Sequence, residues 1–466
     1  MRTGIVRIQD IVAEGCRLTG GFHVSEDQRA LVGLRHLKDS ASPLKNLVKG
    51  RGIFRGPIFS RVFVDDPSHG EPYVSARDIV NTDVRPAGYL SRNHGRLLDA
   101  LRLHEGMILV TCSGMNLGKA VWVRSEFSGL IGSHDLIRIE PDPAAAPPGY
   151  LFAFLASRHG HALLRKQIYG GHIKHIEPHH VAGLSVPRLG DRLESRVHGL
   201  IVQAARDRAG AKRLLDDAGN ALVSALKLPA LRHEHEHESP HVSVVKSSRL
   251  VARADAYYHS LLNAEARRGF DRARGKKVRL ADVAEVMIPG IFKRLYSEDP
   301  AFGVPYITGA DVFELTPRSS QFLLKRVAAD VGLVLREGMI VIQEAGQLGG
   351  LIGRSALVGA ALDGFACSNN MVRVTAKEPE DTGYLFALLA STYGVRLVSR
   401  EAAGSSIPHL DAERVRAIEL PWGDDDLRTR ISRAVMKAQR LRDDASSADT
   451  KARNLVEDAV EKGVVN

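Results

Sequence analysis

Residues 149–157 read GYLFAFLAS and residues 383–391 read GYLFALLAS, so the chain repeats itself at 383 − 149 = 234 residues within a length of 466. The offset extends well beyond this block. Ile58, Phe59, Arg61, Asp66, Pro67, Gly70, Pro72, Tyr73 and Asp78 recur 233 residues later as Ile291, Phe292, Arg294, Asp299, Pro300, Gly303, Pro305, Tyr306 and Asp311. Glu105-Gly106-Met107 returns 232 residues on as Glu337-Gly338-Met339, and Gly170, Ile173, His175, Val181 and Pro187 map at 234 onto Gly404, Ile407, His409, Val415 and Pro421. Solenoid units run roughly 20–50 residues, so this period describes two whole domains of like fold in tandem. The drift of one or two residues marks small loop insertions.

With 44% apolar and 25% charged residues the chain has the balance of an ordinary globular protein with a real core, which argues against a disordered chain. Its 64 Lys and Arg against 54 Asp and Glu leave a formal charge of +10, which favours an anionic partner such as nucleic acid. No apolar run approaches the roughly 18 residues needed to cross a bilayer, and MRTGIVRIQD has no h-region. A cytoplasmic protein without a membrane partner is expected. Cys16, Cys112 and Cys367 are far apart in sequence and in no CxxC pair, so each is expected to be a packed core residue rather than part of a disulfide framework or zinc site.

Each half reads as a mixed globular part followed by a long helix. GMILVTC (106–112), AVWVR (120–124), GMIVIQ (338–343) and NMVRV (370–374) are strand-like, whereas 149–168 and 383–402 read as helices. From Leu193 apolar or small residues fall at 193, 197, 200, 204, 211, 214, 218, 222 and 225; from Leu427 they fall at 427, 431, 434, 438, 441, 445, 448, 452, 455 and 459. Steps of three and four are a coiled-coil seam, and about 35 residues span ~50 Å at 1.5 Å each. The preferred reading is one antiparallel pair formed from the two helices and acting as a spacer; the alternative is that each packs on its own domain. The expected fold class is therefore α+β, two tandem mixed α/β domains each followed by a long helix. The boundaries are 1–190, helix 191–227, linker 228–247, 248–423 and helix 424–466. The linker's HEHEHE tract offers ligand residue types but no inward convergence, so no metal is assigned to it.

In order and in duplicate, GMILVTCSGMNLG (106–118), GYLFAFLAS (149–157) and GGHIKHIEPHHVAGLSVP (170–187) are followed by GMIVIQEAGQLGG (338–350), GYLFALLAS (383–391) and GSSIPHLDAERVRAIELP (404–421). This series resembles the DNA-specificity subunit of type I restriction-modification systems, over essentially the whole chain. The resemblance implies two target-recognition domains, each reading one half of a bipartite duplex DNA sequence, and spacer helices that hold them apart and dock methyltransferase subunits. A restriction or translocase subunit would complete such a complex. Catalysis and S-adenosylmethionine would belong to the partners, so no cofactor is assigned to this chain. The chain departs from the pattern at Met107 and Met339, where the family often has Asp, and at Gly171-His172 opposite Ser405-Ser406. These departures leave room for a relative in another phage-defence system.

Candidate DNA contacts follow from residue chemistry. The turn Gly170–His175, with His172, Lys174 and His175, and its copy with Ser405, Ser406 and His409 place amides and polar groups together for a phosphate oxygen; the alternative is a plain structural turn. Ser113, Asn116 and Lys119 follow one GMI strand, and Gln343 and Gln347 belong to the other. Asn and Gln can pair with adenine and Lys with guanine, although solvated loops carry the same residues. Arg61 and Arg294 suit a shared phosphate contact or a surface ion pair. Arg77, opposite Ala310, suits discrimination. Tyr73 and Tyr306 read as core.

Catalytic motifs are missing. GMNLGKA (114–120) is one residue short of a P-loop and ends in Ala where a hydroxyl would meet magnesium. There is no NPPY-type tetrapeptide and no GxSxG elbow. The rival readings are a stand-alone nuclease built on Asp135, Glu177 and His179, with imperfect counterparts at Asn369, Asp411 and Glu413, and a non-DNA protein-binding scaffold.

Overall fold

The apolar run at Ile108–Thr111 is buried on both sides. Ile108 and Val110 face one core with the GYLF helix, while Leu109 faces a second core with Val74, Val121 and Phe127. Successive strand residues alternate faces, so an unbroken apolar strand must lie between two layers. Ile340–Gln343 repeats the arrangement, with Ile340 and Ile342 in one core and Val341 in another.

The computed structural model describes residues 5–463 apart from 14–17, 19–22, 24, 85, 115, 169–174, 232–241, 243, 251, 252 and 320. The chain forms two units, Met1–Ala209 with Ala445–Asn466, and Gly210–Asp444. The HEHEHE tract and Cys16 lie outside the described residues.

The first unit contains β1 (Ala41–Pro43), β2 (Val48–Arg55), β3 (Phe63–Val64), β4 (Gly70–Val74), β5 (Gly88–Ser91), β6 (Ile108–Thr111), β7 (Ala120–Trp122), β8 (Ile131–Gly132), β9 (Leu136–Pro141) and β10 (Ser185–Pro187). They form an antiparallel sheet β2-β9-β6-β7, a mixed sheet β3-β5-β4-β8 and a small pair β1-β10. The second contains β11 (Lys276–Arg279), β12 (Ala284–Met287), β13 (Tyr296–Ser297), β14 (Gly303–Ile307), β15 (Gln321–Leu324), β16 (Ile340–Gln343), β17 (Ser355–Leu357), β18 (Ala366–Cys367), β19 (Met371–Ala376) and β20 (Glu419–Trp422). Its sheets are β12-β19-β16-β17, β13-β15-β14-β18 and β11-β20, the same topology strand for strand. Cys112 and Cys367 are both buried and packed in these cores.

The repeated block is explained by its contacts. A Cβ on Gly149 would lie 2.7 Å from His198 Nδ1, and one on Gly383 would lie 2.6 Å from Ser432 Cα, so only glycine lets this helix approach the long helices. The hydroxyls of Tyr150 and Tyr384 donate to the carbonyls of Pro187 and Pro421 on the closing strands. The expected single helices over 149–168 and 383–402 are each broken in two, as Pro148–Ala156 with Arg158–Lys166 and Thr382–Ala390 with Thr392–Arg400. Ser157 and Ser391 are the cause: each is extended, and each side chain accepts from the amide of the glycine three residues on. A serine that caps the following helix ends the preceding one.

The long helices are Asp191–Ala225 and Asp425–Lys462. In the first unit Val197 and Ile201 share a core with Ala452, Val456 and Val460, and Arg208 meets Asp449. In the second, Ala218, Leu222 and Leu226 share a core with Leu427, Ile431 and Val435. Position numbers rise on one helix as they fall on the other, so the pairing is antiparallel within each unit. Several seam positions are displaced by one from the expected pattern, with Ile201, Leu226, Val435 and Val456 buried at those places. The reason is that each helix also covers its own domain, which widens the buried stripe beyond a strict a/d seam.

Candidate nucleic-acid interface

In the first unit β2 and β6 end, and β7 and β9 begin, at one edge, because Arg55 lies opposite Ile137, Thr111 opposite Leu136 and Val110 opposite Ala120. The mixed sheet contributes to the same edge. The Ser133 amide, just past β8, donates to Val74 O at the end of β4, and Cys112 N donates to Asp135 O. The chain meets this edge again at the last residue of the GxxIxH motif, with His175 bridged to Ser113 and Ile176 N donating to Cys112 O at 3.1 Å. Residues scattered over more than a hundred positions of sequence therefore meet in one loop cluster.

Arg55 ties the cluster together. Its Nε donates to His134 O at 2.9 Å, Nη1 to Glu177 Oε1 at 3.3 Å, and Nη2 lies 3.6 Å from Asp135 Oδ1. Ser113 Oγ donates to the same Asp135 oxygen at 2.9 Å. Burial holds the His134 imidazole below its usual pKa; Asp135 opposes this, while Arg55 and Arg61 add to it. Arg61 is thus close enough to act on this cluster electrostatically. The 113–119 loop is pinned at its neck, where Lys119 N donates to Thr111 Oγ1 at 3.0 Å and Thr111 N to Lys119 O at 3.0 Å. Asn116 supplies a carbonyl that accepts from Lys119 N at 3.2 Å.

The second unit builds the same edge with different side chains. Glu344 N donates to Asn370 O, Leu410 N to Glu344 O and Ser368 N to Ile307 O, matching the three backbone links above. In place of the Arg55 network, Glu344 Oε1 lies 2.9 Å from His409 Nδ1. Burial pushes the Glu344 carboxyl above the usual range, and His409 opposes that shift. Gln343 is 9% exposed and its Nε2 donates to Ala345 O at 2.9 Å, so it supports the loop from beneath. Gln347, Ser405, Ser406 and His409 are exposed. Ala403 and His409 exchange backbone hydrogen bonds of 2.8 Å, which closes the serine turn between them.

Of the remaining expected residues, Arg61 and Arg294 are exposed, and Arg61 Nη1 donates to Tyr73 OH at 2.7 Å. Tyr73 and Tyr306 are buried core residues. Arg77 is exposed on the turn after β4, which is held by Ser75 and Asp78 as its copy is by Thr308 and Asp311. His172 and Lys174 lie outside the described residues. Asp135 and Glu177, set out above as nuclease carboxylates, are both paired with Arg55. The backbone match makes Asn370 rather than Asn369 the counterpart of Asp135. Asp411 caps the helix Ala412–Arg416, accepting from Arg414 N. Among the described residues no group of three or more His, Cys, Asp and Glu is placed to hold a metal ion, and no helix is long and apolar enough to cross a membrane.

Arg55, His134 and Glu344 are members of the cluster that repeat reading passes over. Arg55 ends a strand whose register shifts between Val48 and Ile53, and Glu344 stands opposite Cys112, so neither survives a search for shared residues.

No family model and no curated protein matches the chain. Among solved structures it is similar to the S subunit of a type I restriction-modification system from M. genitalium, with 13% identity over 91% of this chain and 96% of that one and a TM-score of 0.36. It is similar over the same shares of both chains to the HsdS subunit from Thermoanaerobacter tengcongensis, with 13% identity and a TM-score of 0.27.

Proposed function

We propose that this chain is a non-catalytic specificity subunit of a restriction-modification or related phage-defence complex. Each unit reads one half of a bipartite duplex DNA target, the long helices serve as the spacer that sets the unread gap, and the chain docks methyltransferase subunits that hold S-adenosylmethionine. The reading rests on the paired loop clusters. Their backbone links correspond one for one, whereas the polar groups differ: Arg55, Asp135 and Glu177 in one, Glu344 and His409 in the other. Two half-sites of different sequence need one scaffold with two sets of placed donors and acceptors. The excess of Lys and Arg supplies attraction to phosphate.

In this proposal Arg61 and Arg294 serve the phosphate backbone together with the two turns, through His172, Lys174 and His175 in one and Ser405, Ser406 and His409 in the other. Arg77, Asn116, Lys119 and Gln347 discriminate bases. Gln343 holds its loop.

The test is a binding selection from random duplex DNA with the purified chain, alone and with a methyltransferase encoded beside it. Enrichment of a split motif with a constant gap is expected. Absence of enrichment in both conditions overturns the reading and favours a non-DNA scaffold.

A further inference from the structure

The loops that enter β3 and β13 read GPIFSRVF (56–63) and PGIFKRLY (289–296). Neither contains an acidic residue, and Ile, Phe and Arg keep the same order in both although Pro57, Ser60 and Val62 stand opposite Gly290, Lys293 and Leu295. The shared phenylalanine and arginine have structural partners. Phe59 packs against the cluster of Tyr73, Leu90 and Leu98 with its ring 4.7 Å from His94, and Phe292 meets the Tyr306 ring edge-on at 6.4 Å. Arg61 bonds the Tyr73 hydroxyl, while the charge of Arg294 acts on Tyr306 against the larger effect of burial. The shared isoleucine has none of this: Ile58 is 73% exposed and Ile291 96% exposed.

An aliphatic side chain kept in water in both copies of a diverged repeat adds nothing to the core, and its loop is already ordered by the phenylalanine beneath it. A finger held in place before binding loses little freedom on contact. The first loop begins directly after Arg55, the last residue of β2 at the edge that carries the readout loops, and the second follows Ile288 beyond the end of the equivalent strand β12. On the reading that each unit recognises duplex DNA, we propose that Ile58 and Ile291 are wedges that enter a base step, one in each half-site, with Arg61 and Arg294 on the flanking phosphates. Isoleucine is among the side chains suited to prising bases apart. A loop with cations and no carboxylates is complementary to a polyanion, and this selects nucleic acid over an acidic-and-basic protein surface.

The full chain, Ile58→Ser and Ile291→Ser are titrated with the duplex recovered by the selection above, carrying 2-aminopurine at successive positions. Wild type is expected to raise fluorescence at one step in each half-site. Each variant should abolish the rise in one half only and weaken binding roughly tenfold to a hundredfold, as expected for exposing one aliphatic side chain, with an unchanged salt slope and an unchanged melting temperature. Unchanged affinity and fluorescence in the variants overturn the wedge while leaving DNA recognition intact. A variant that binds DNA normally but loses the methyltransferase, or one that melts earlier, also overturns it. Failure of wild type to bind duplex DNA overturns the underlying functional reading instead.

Discussion

Arg208 Nη2 lies 2.6 Å from Asp449 Oδ2 in the first unit, with side chains only 8% and 7% exposed. This is a buried ion pair between the two long helices. Arg124 is buried nearby, its guanidinium held down to about 10 by burial, with Glu126 and Asp449 opposing that shift. Breaking such a pair leaves an uncompensated charge, so Asp449→Ala is expected to destabilise by about 3–5 kcal/mol. Arg208→Leu combined with Asp449→Leu should recover most of that loss, because desolvation largely offsets the attraction in buried pairs. Urea unfolding of the two variants checks the ordering.

Arg138 donates to the carbonyls of Leu101, Gly132, Ser133 and Leu136, and Arg373 donates to those of Leu333, Cys367, Ser368 and Met371 at the equivalent place. Each guanidinium ties its own strand, β9 or β19, to β8 or β18 of the mixed sheet and to the adjoining loops. Arg138→Met keeps the volume but strands several carbonyls, each worth about 1–3 kcal/mol when left unpaired. A loss of at least ~3 kcal/mol is expected by urea unfolding, with Arg138→Lys intermediate.

Gly149→Ala and Gly383→Ala place a methyl group against His198 and Ser432 on the long helices. Overpacking of about 1–3 kcal/mol is expected in each unit. Earlier thermal unfolding and faster proteolysis between the domain and its helix would report it.

His159 is buried, and its Nδ1 lies 2.8 Å from Ala30 O, linking the helices Arg158–Lys166 and Glu26–Gly33. Burial lowers its pKa, which the Ala30 bond only partly opposes. The folded state therefore resists a proton that the unfolded chain accepts near pH 6.5. Stability from the neutral ring is full above that pH and is lost as pH falls from there through the folded value. The melting temperature of wild type should drop more between pH 7.5 and pH 5 than that of His159→Asn, which keeps a donor but does not titrate.

Arg61→Ala and Arg294→Ala are expected to weaken duplex binding across sequences and to reduce the slope of log K against log salt by about 1 each. A change confined to one base position would instead make either arginine a reader.

The duplication was legible because residues with a fixed backbone task recur. Gly149 and Gly383, Tyr150 and Tyr384, and Ser157 and Ser391 each make one contact that few other residue types can supply. The strands around Ile108 and Ile340 were legible from their apolar runs, and the long helices from their period. The serine breaks were not, because a serine in a helical pattern is a cap only when its backbone is extended. The seam positions were displaced because periodicity alone does not say how many partners a helix face has.

The sequence by itself determined the two copies, their element order, the two long helices and the loops worth inspecting, all of which follow from local spacing or repetition. Only the tertiary structure decided that Arg55 gathers Asp135 and Glu177, that Glu344 faces His409, that Gln343 is buried and that Ile58 and Ile291 stand in water. Those facts arise where strands distant in the chain end at one edge. Contacts between such residues have no period, so folding is what creates them.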